Sequence, residues 1–292
     1  MTCGPPGTRD VRLPSVSAPS LVRLVRLQHR NRQPQRALTF VLFTKESNHE
    51  SHPHHRSTEG LGRLTAEALQ AQGHDVIVHA RNADRAKHLR PLTEQGASIV
   101  IGDFADRGAV RSIAAELVEQ APLDGVIHNV GVWSGRNVMP VNVIAPYVLT
   151  ALLPLPERLV YLSSGSHFGG QPGLDGVDWQ GKSAGSYGDS KLYVSTLAAA
   201  IARLFPDVLS NSVDPGWVPT RMGGAGAPDS LDLGHRTQEW LASSDDPEAH
   251  TSGGYWYHQH RQEPHPSVHD TAFQDRLLSA LADETGERLH LR

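Results

Sequence analysis

Along the chain, short apolar runs alternate with longer stretches in which apolar residues recur every three or four positions. The runs at 37–44, 75–81, 98–104, 125–131 and 159–165 are nearly continuous in Val, Ile, Leu and Ala, as expected of strands buried on both faces. Helical periodicity fills the segments 60–73, 83–95 and 108–120, and returns around Asn142, from Tyr187 onward, at 231–241 and at 272–282. A sixth strand ends before Pro215, and 252–257 reads as the last one. Strand and helix in strict alternation predict a doubly wound parallel sheet, a Rossmann-like three-layer α/β/α arrangement.

The first strand–helix unit shows where a ligand would sit. Its helix opens on Gly60-Leu61-Gly62 and closes at Gly73, a C-terminal capping residue. Glycines at a helix start let the backbone approach a pyrophosphate, and the free N–H groups there favour anions. Between strand and helix lies a polar insert at 45–56 without strand or helix period. It contains His49, His52, His54 and His55. These lack the spacing that sets two ligands and a base on one helical face, so a solvated loop is expected and no metal site.

Candidate chemistry comes from Tyr187-Gly188-Asp189-Ser190-Lys191. At a spacing of four the phenol and ammonium share one helical face. Positive charge beside the phenol favours phenolate and lowers a pKa that is normally about 10, giving a proton-transfer group near neutral pH. The run at 159–165 ends in Ser163-Ser164-Gly165, a strand tip that offers Ser164 to the same cleft. Tyr-x-x-x-Lys by itself recurs by chance on ordinary amphipathic helices; the order of features around it gives it weight.

That order resembles the short-chain dehydrogenase/reductase family over residues 37–285. Thr44, Gly60 and Gly62 match its glycine motif across the insert, although the first glycine is absent. Asp103 matches the acidic residue placed against adenine; Asn129 and Gly131 match the segment after the fourth strand, where His128 and Val130 are substituted. The resemblance implies that Tyr187 exchanges the proton, Lys191 tunes it and holds the nicotinamide ribose, and Ser164 orients the substrate oxygen. Asn142 corresponds to the helix asparagine that holds a proton-relay water, though the stretch from Gly131 to it is shorter than in the family. Pro215, Gly216 and Thr220 shape the cofactor side of the sixth strand. With Ala80 and Arg81 closing the second strand and Arg63 after the glycine turn, a 2′-phosphate is favoured, hence NADP over NAD. Trp133, His167, Phe168, Trp217 and Met222 are placed near the cleft and expected to be mostly packed, and the glycine-rich 222–228 could cover the substrate.

The remaining numbers narrow the setting. A formal net charge of −4 gives no reason to expect nucleic acid, and Cys3 as sole cysteine excludes intramolecular disulfides and thiolate metal clusters. No apolar run reaches transmembrane length. Residues 1–36 are arginine-rich with Asp10 as the only acid, which suits either a disordered tail or a mitochondrial presequence. A short tail is expected at 286–292. The expectation is a cytoplasmic oxidoreductase acting on a small carbonyl or alcohol substrate, or a mitochondrial-matrix one if the tail is a presequence. Relatives pair through the helices carrying Asn142 and Tyr187, which implies a homodimer or homotetramer. The rival is a catalytically impaired relative that serves as a binding protein, supported by the missing glycine and the shortened segment. An epimerase or dehydratase would need a longer carboxyl-terminal region.

Overall fold

The structure is a computed structural model. It describes residues 1–2, 36–39, 60–120, 122–129 and 131–290. Thr44, Val130, the insert at 45–56 and nearly all of the arginine-rich tail lie outside them. Eight strands are described: β1 (Arg36–Thr39), β2 (Asp75–Ala80), β3 (Ser98–Ile101), β4 (Gly125–His128), β5 (Arg158–Leu162), β6 (Leu209–Asp214), β7 (Tyr255–Tyr257) and β8 (His260–Gln262). They form one sheet in the order β3-β2-β1-β4-β5-β6-β7-β8. Pairing is parallel from β3 to β7, and β8 alone runs antiparallel, against β7.

Successive strand residues point to opposite faces, and this period divides the core in two. Val76, Val78, Val160 and Leu162 pack with Leu61, Ala66 and Leu69 of helix Leu61–Ala71 and with Leu241 of helix Leu231–Ser243. Ile77, Leu159 and Tyr161 face the other way, toward helices Arg107–Glu119, Ala145–Leu152, Tyr187–Leu204 and Thr271–Thr285. Helices on both faces of a parallel sheet are the doubly wound arrangement expected from the pattern. The strand order reverses between β1 and β4, and ligands bind such sheets at the crevice beyond that point.

Several elements differ from the sequence expectation. The helix foreseen at 83–95 is broken into Ala83–Ala86, a 3-10 turn at Lys87–Leu89 and Arg90–Thr93. Pro91 has no N–H for the Lys87 carbonyl, and the Arg90 N–H serves that carbonyl instead. A π-helical turn at Pro140–Ile144 precedes Ala145–Leu152. Pro146 lacks the N–H that would serve the Asn142 carbonyl in an α-helix, so the turn widens there. The last parallel strand is shorter than 252–257, since Gly253 has a φ of +75° and the chain bends before Tyr255.

Candidate active site

The carboxyl ends of β4, β5 and β6 open onto a solvent-accessible cleft. Gly60 and Gly62 line one side of it, and Asn129, Gly131, Pro215 and Thr220 also border it. Tyr187 and Lys191 reach it from the helix Tyr187–Leu204, whose first turn is capped by the Ser186 side chain accepting from the Asp189 N–H. Met222, placed near the cleft from the sequence, and Leu61, Leu162, Ser163 and Arg221, which the sequence had not singled out as site residues, complete the lining.

The Tyr187 hydroxyl lies within reach of the Ser164 side chain. Ser164 caps the following 3-10 turn by accepting from the Ser166 N–H at 3.2 Å. Lys191, only 3% exposed, lies with Nζ 5.5 Å from the Tyr187 ring centre and donates to the Leu162 carbonyl at 2.7 Å. Ser163, the other hydroxyl of the pair, ties β5 to the same helix: it donates to the Lys191 carbonyl and accepts from Ser195.

The electrostatics differ from the simple expectation of an acidified phenol. Burial pushes Tyr187 up to about 12; the Ser164 side chain lowers it and the Asp214 carboxylate raises it. Burial lowers Lys191 to about 8, with Asp214 raising it. Desolvation of both groups therefore outweighs their mutual tuning, and near neutral pH the tyrosine is a phenol beside a buried ammonium.

Asn142, 1% exposed, binds Val132 twice: Oδ1 accepts its N–H at 2.8 Å and Nδ2 donates to its carbonyl at 3.0 Å. Nδ2 also donates to Ser190 Oγ, which itself donates to the Tyr187 carbonyl. The side chain expected to border a water thus fastens the loop after β4 to the first turn of the tyrosine helix. Short as the segment from Gly131 to Asn142 is, it reaches this position.

Arg81, Asp103 and Arg63 do not join this lining. Arg81 donates through Nε and Nη2 to Asp103 Oδ2, at 2.9 and 2.6 Å, and the other Asp103 oxygen accepts from the Ala105 N–H. Arg63 pairs with Glu67 one turn along its helix. Gly216 follows β6 with a φ of +83°, and a Cβ there would come within 2.7 Å of Asp229 Oδ2. Its N–H donates to Asp214 Oδ1.

Sequence reasoning placed His167 near the cleft without a role in positioning Ser164, and missed Asp214 as part of the site. His167, expected to be packed, is fully buried. Its Nε2 accepts from the His265 N–H at 3.0 Å, so the ring proton sits on Nδ1, which donates to the Ser164 carbonyl at 2.8 Å. Asp214 Oδ2 accepts from the Tyr255 hydroxyl at 3.1 Å. A histidine three residues after Ser164 and an acid before Pro215 were the available signals. By contrast Trp133, Phe168, Trp217 and Met222, also expected to pack, are 65%, 54%, 61% and 40% exposed.

Comparison with known proteins decides the family. A family profile described as enoyl-(acyl carrier protein) reductase matches residues 56–144. An uncharacterized oxidoreductase of Emericella nidulans is 34% identical over 245 residues, covering 79% of this chain and 94% of the relative. The short-chain dehydrogenase chyC of Penicillium rubens is 32% identical, covering 80% and 96%. The chain belongs to the short-chain dehydrogenase/reductase family. Among solved structures, the NADPH-bound carbonyl reductase from chicken fatty liver superposes with a TM-score of 0.57 at 19% identity, over 80% of this chain and all of that one. This short-chain dehydrogenase/reductase is thus an oxidoreductase with the family's Rossmann-like fold.

One departure from the family's Asn-Asn-Ala-Gly segment has a measurable consequence. His128 is 1% exposed, stacked on Tyr161, and burial lowers it to about 3. The unfolded chain takes a proton near pH 6.5 that the folded chain refuses. Its contribution to stability is therefore complete above that pH and is lost, by roughly 1.4 kcal/mol per pH unit, as pH falls toward 3. Urea unfolding at a series of pH values should show His128→Asn losing less stability on acidification than the parent; parallel curves would refute the assignment.

Proposed function

We propose that the chain is an NADP-dependent reductase that interconverts a carbonyl compound and its alcohol, with Tyr187 as proton donor. The observation that carries this reading is that the Tyr187 hydroxyl lies within reach of Ser164, whose side chain lowers its pKa, with Lys191 lining the same cleft as the glycine-rich helix start. A phenol held near 12 is protonated at neutral pH, the form that gives a proton to carbonyl oxygen. Ser164 orients that oxygen and shares its developing charge. The Lys191 ammonium steadies the phenolate left behind and holds the ribose hydroxyls of the cofactor. Asn142 keeps the tyrosine helix in register with the loop after β4. In this reading the oxidoreductase domain spans 37–285.

The residues present fit a dinucleotide. The helix Leu61–Ala71 begins at Gly60 with no side-chain cap and no acid in its first turn, leaving N–H groups and a positive dipole end for phosphates. At Gly131 a Cβ would lie 3.5 Å from the Met222 methyl and 3.6 Å from Lys191 Nζ, so a larger residue would narrow the cleft. Bound there, a reduced nicotinamide supplies the hydride. Pro215 and Thr220 border its side of the cleft.

Preference for NADP rests on Arg81 at the end of β2. Pairing with Asp103 uses Nε and Nη2 and leaves Nη1 for a 2′-phosphate, while the pair itself neutralises an acid that would repel it. Arg81→Ala should lower the ratio of kcat/KM for NADPH over NADH by roughly ten- to a hundredfold, the scale of a hydrogen bond to a charged group. An unchanged ratio would leave Arg81 as no more than the partner of Asp103.

The function is tested by titrating the folded protein with NADPH, followed by fluorescence, and assaying a panel of aldehydes and ketones. Saturable binding with turnover is expected. Absence of cofactor binding would support the rival reading, a relative retained as a binding protein.

A further inference from the structure

We infer that the substrate's carbonyl is attached to a flat aromatic or similarly bulky apolar body, received by Trp133, Phe168, Trp217 and Met222. The inference rests on the proposed reading of Tyr187 and specifies what that site reduces. All three exposed aromatic residues among those described lie in loops that leave the carboxyl ends of β4, β5 and β6, the end of the sheet that bears the cleft. The other exposed large apolar residues, such as Ile101, Val118 and Leu233, belong to other elements. Single exposed apolar side chains need no explanation, but several gathered around one cleft mark a binding surface.

Their placement relates them to the reacting end. The Trp133 ring centre is 6.3 Å from that of Tyr187, tilted by 60°. Met222 lines the cleft beside Lys191 and Tyr187. Trp217 is held in place: its indole N–H donates to the Gly223 carbonyl at 2.8 Å, and its backbone N–H donates to Asp229. Phe168 follows Ser164 in the 3-10 turn, against His167 with ring centres 4.1 Å apart and edge-on to Tyr255. Rings fixed in advance lose little freedom when a ligand covers them. A small polar carbonyl compound would leave these surfaces wet, whereas an aryl group would remove them from water and stack on the rings.

The test compares acetonaphthone with butanone, two methyl ketones that differ in the apolar body. With NADPH and the full chain, kcat/KM should favour acetonaphthone, and Trp133→Ala should lower that preference about tenfold, the scale of apolar pocket contacts. Trp133 is mostly exposed, so the variant is expected to fold. Quenching of tryptophan fluorescence by acetonaphthone reads binding without chemistry. It should be weakened in Trp133→Ala and kept in Tyr187→Phe. If Tyr187→Phe retained turnover while Trp133→Ala lost binding, the proton-donor reading would fall and the aromatic surface would stand. Equal efficiency on the two ketones, an unaltered preference in Trp133→Ala, or a dimer that the substitution splits to monomers would overturn the inference. So would a preference for carboxylated substrates that Arg221→Ala abolishes.

Discussion

Replacing Tyr187 with phenylalanine is expected to lower turnover by roughly 10²–10⁴-fold, the contribution of a well-placed general acid, while leaving NADPH affinity within experimental error. The phenyl ring keeps its place beside Trp133 and on the helix capped by Ser186; only the hydroxyl near Ser164 is removed. The Gly60–Gly62 backbone and Lys191, which the proposed function assigns to cofactor binding, are untouched. Single-turnover measurements at saturating NADPH, paired with fluorescence titration, separate the two effects. A variant retaining more than about a tenth of parental turnover would move the proton donor elsewhere, since general acid catalysis contributes at least that much. Because burial holds the phenol near 12, parental turnover in the reducing direction should show no loss from Tyr187 ionisation at neutral pH.

What could be read in the sequence followed from how each residue's role depends on its neighbours. β2, β4 and β5 are buried along nearly their whole length, so their apolar runs announced them. β8 could not be found that way. All of its residues are exposed, and it exists only as the antiparallel edge of β7. Its turn, His258-Gln259, has φ values of +48° and +63° without the Asn-Gly or Asp-Gly pair that usually marks such a hairpin. The break near Pro91 and the π turn before Pro146 depend on which carbonyl loses its donor, and the apolar period continues through both.

In the site, Ser164, Tyr187 and Lys191 were legible because their spacing and order already implied one cleft. The role of Asn142 as a fastener was not, since it depends on Val132 and Ser190 arriving at its amide from two different elements. The contact of His167 with the Ser164 carbonyl was hidden for a similar reason. Its tautomer is set by the His265 N–H, which lies 98 positions away in sequence. The charge balance around Tyr187 was misjudged because a spacing of four reports proximity, whereas desolvation is a property of the packed cleft.

Lys191→Met should reduce turnover by roughly 10²–10³-fold, comparable to losing one preplaced donor at a developing oxyanion, and should also weaken NADPH binding, which Tyr187→Phe should not. A second signature comes from burial. Lys191 is 3% exposed and lowered to about 8 from 10.5, so between those values the unfolded chain holds a proton that the folded chain has released. Stability associated with this residue is therefore complete above about 10.5, declines with falling pH across that window by roughly 1.4 kcal/mol per unit, and is lost below about 8. Methionine fills much of the same space without a charge but leaves the Leu162 carbonyl without the ammonium's hydrogen bond, a constant offset at every pH at which the lysine is protonated. Subtracting the variant's stability from that of the parent cancels the other titrating groups. The difference should be flat up to about pH 8 and climb above it in the parent's favour. A difference that stays flat through pH 10 would mean that Lys191 reaches solvent, and a solvated ammonium there could not steady a phenolate in the way the proposed chemistry requires.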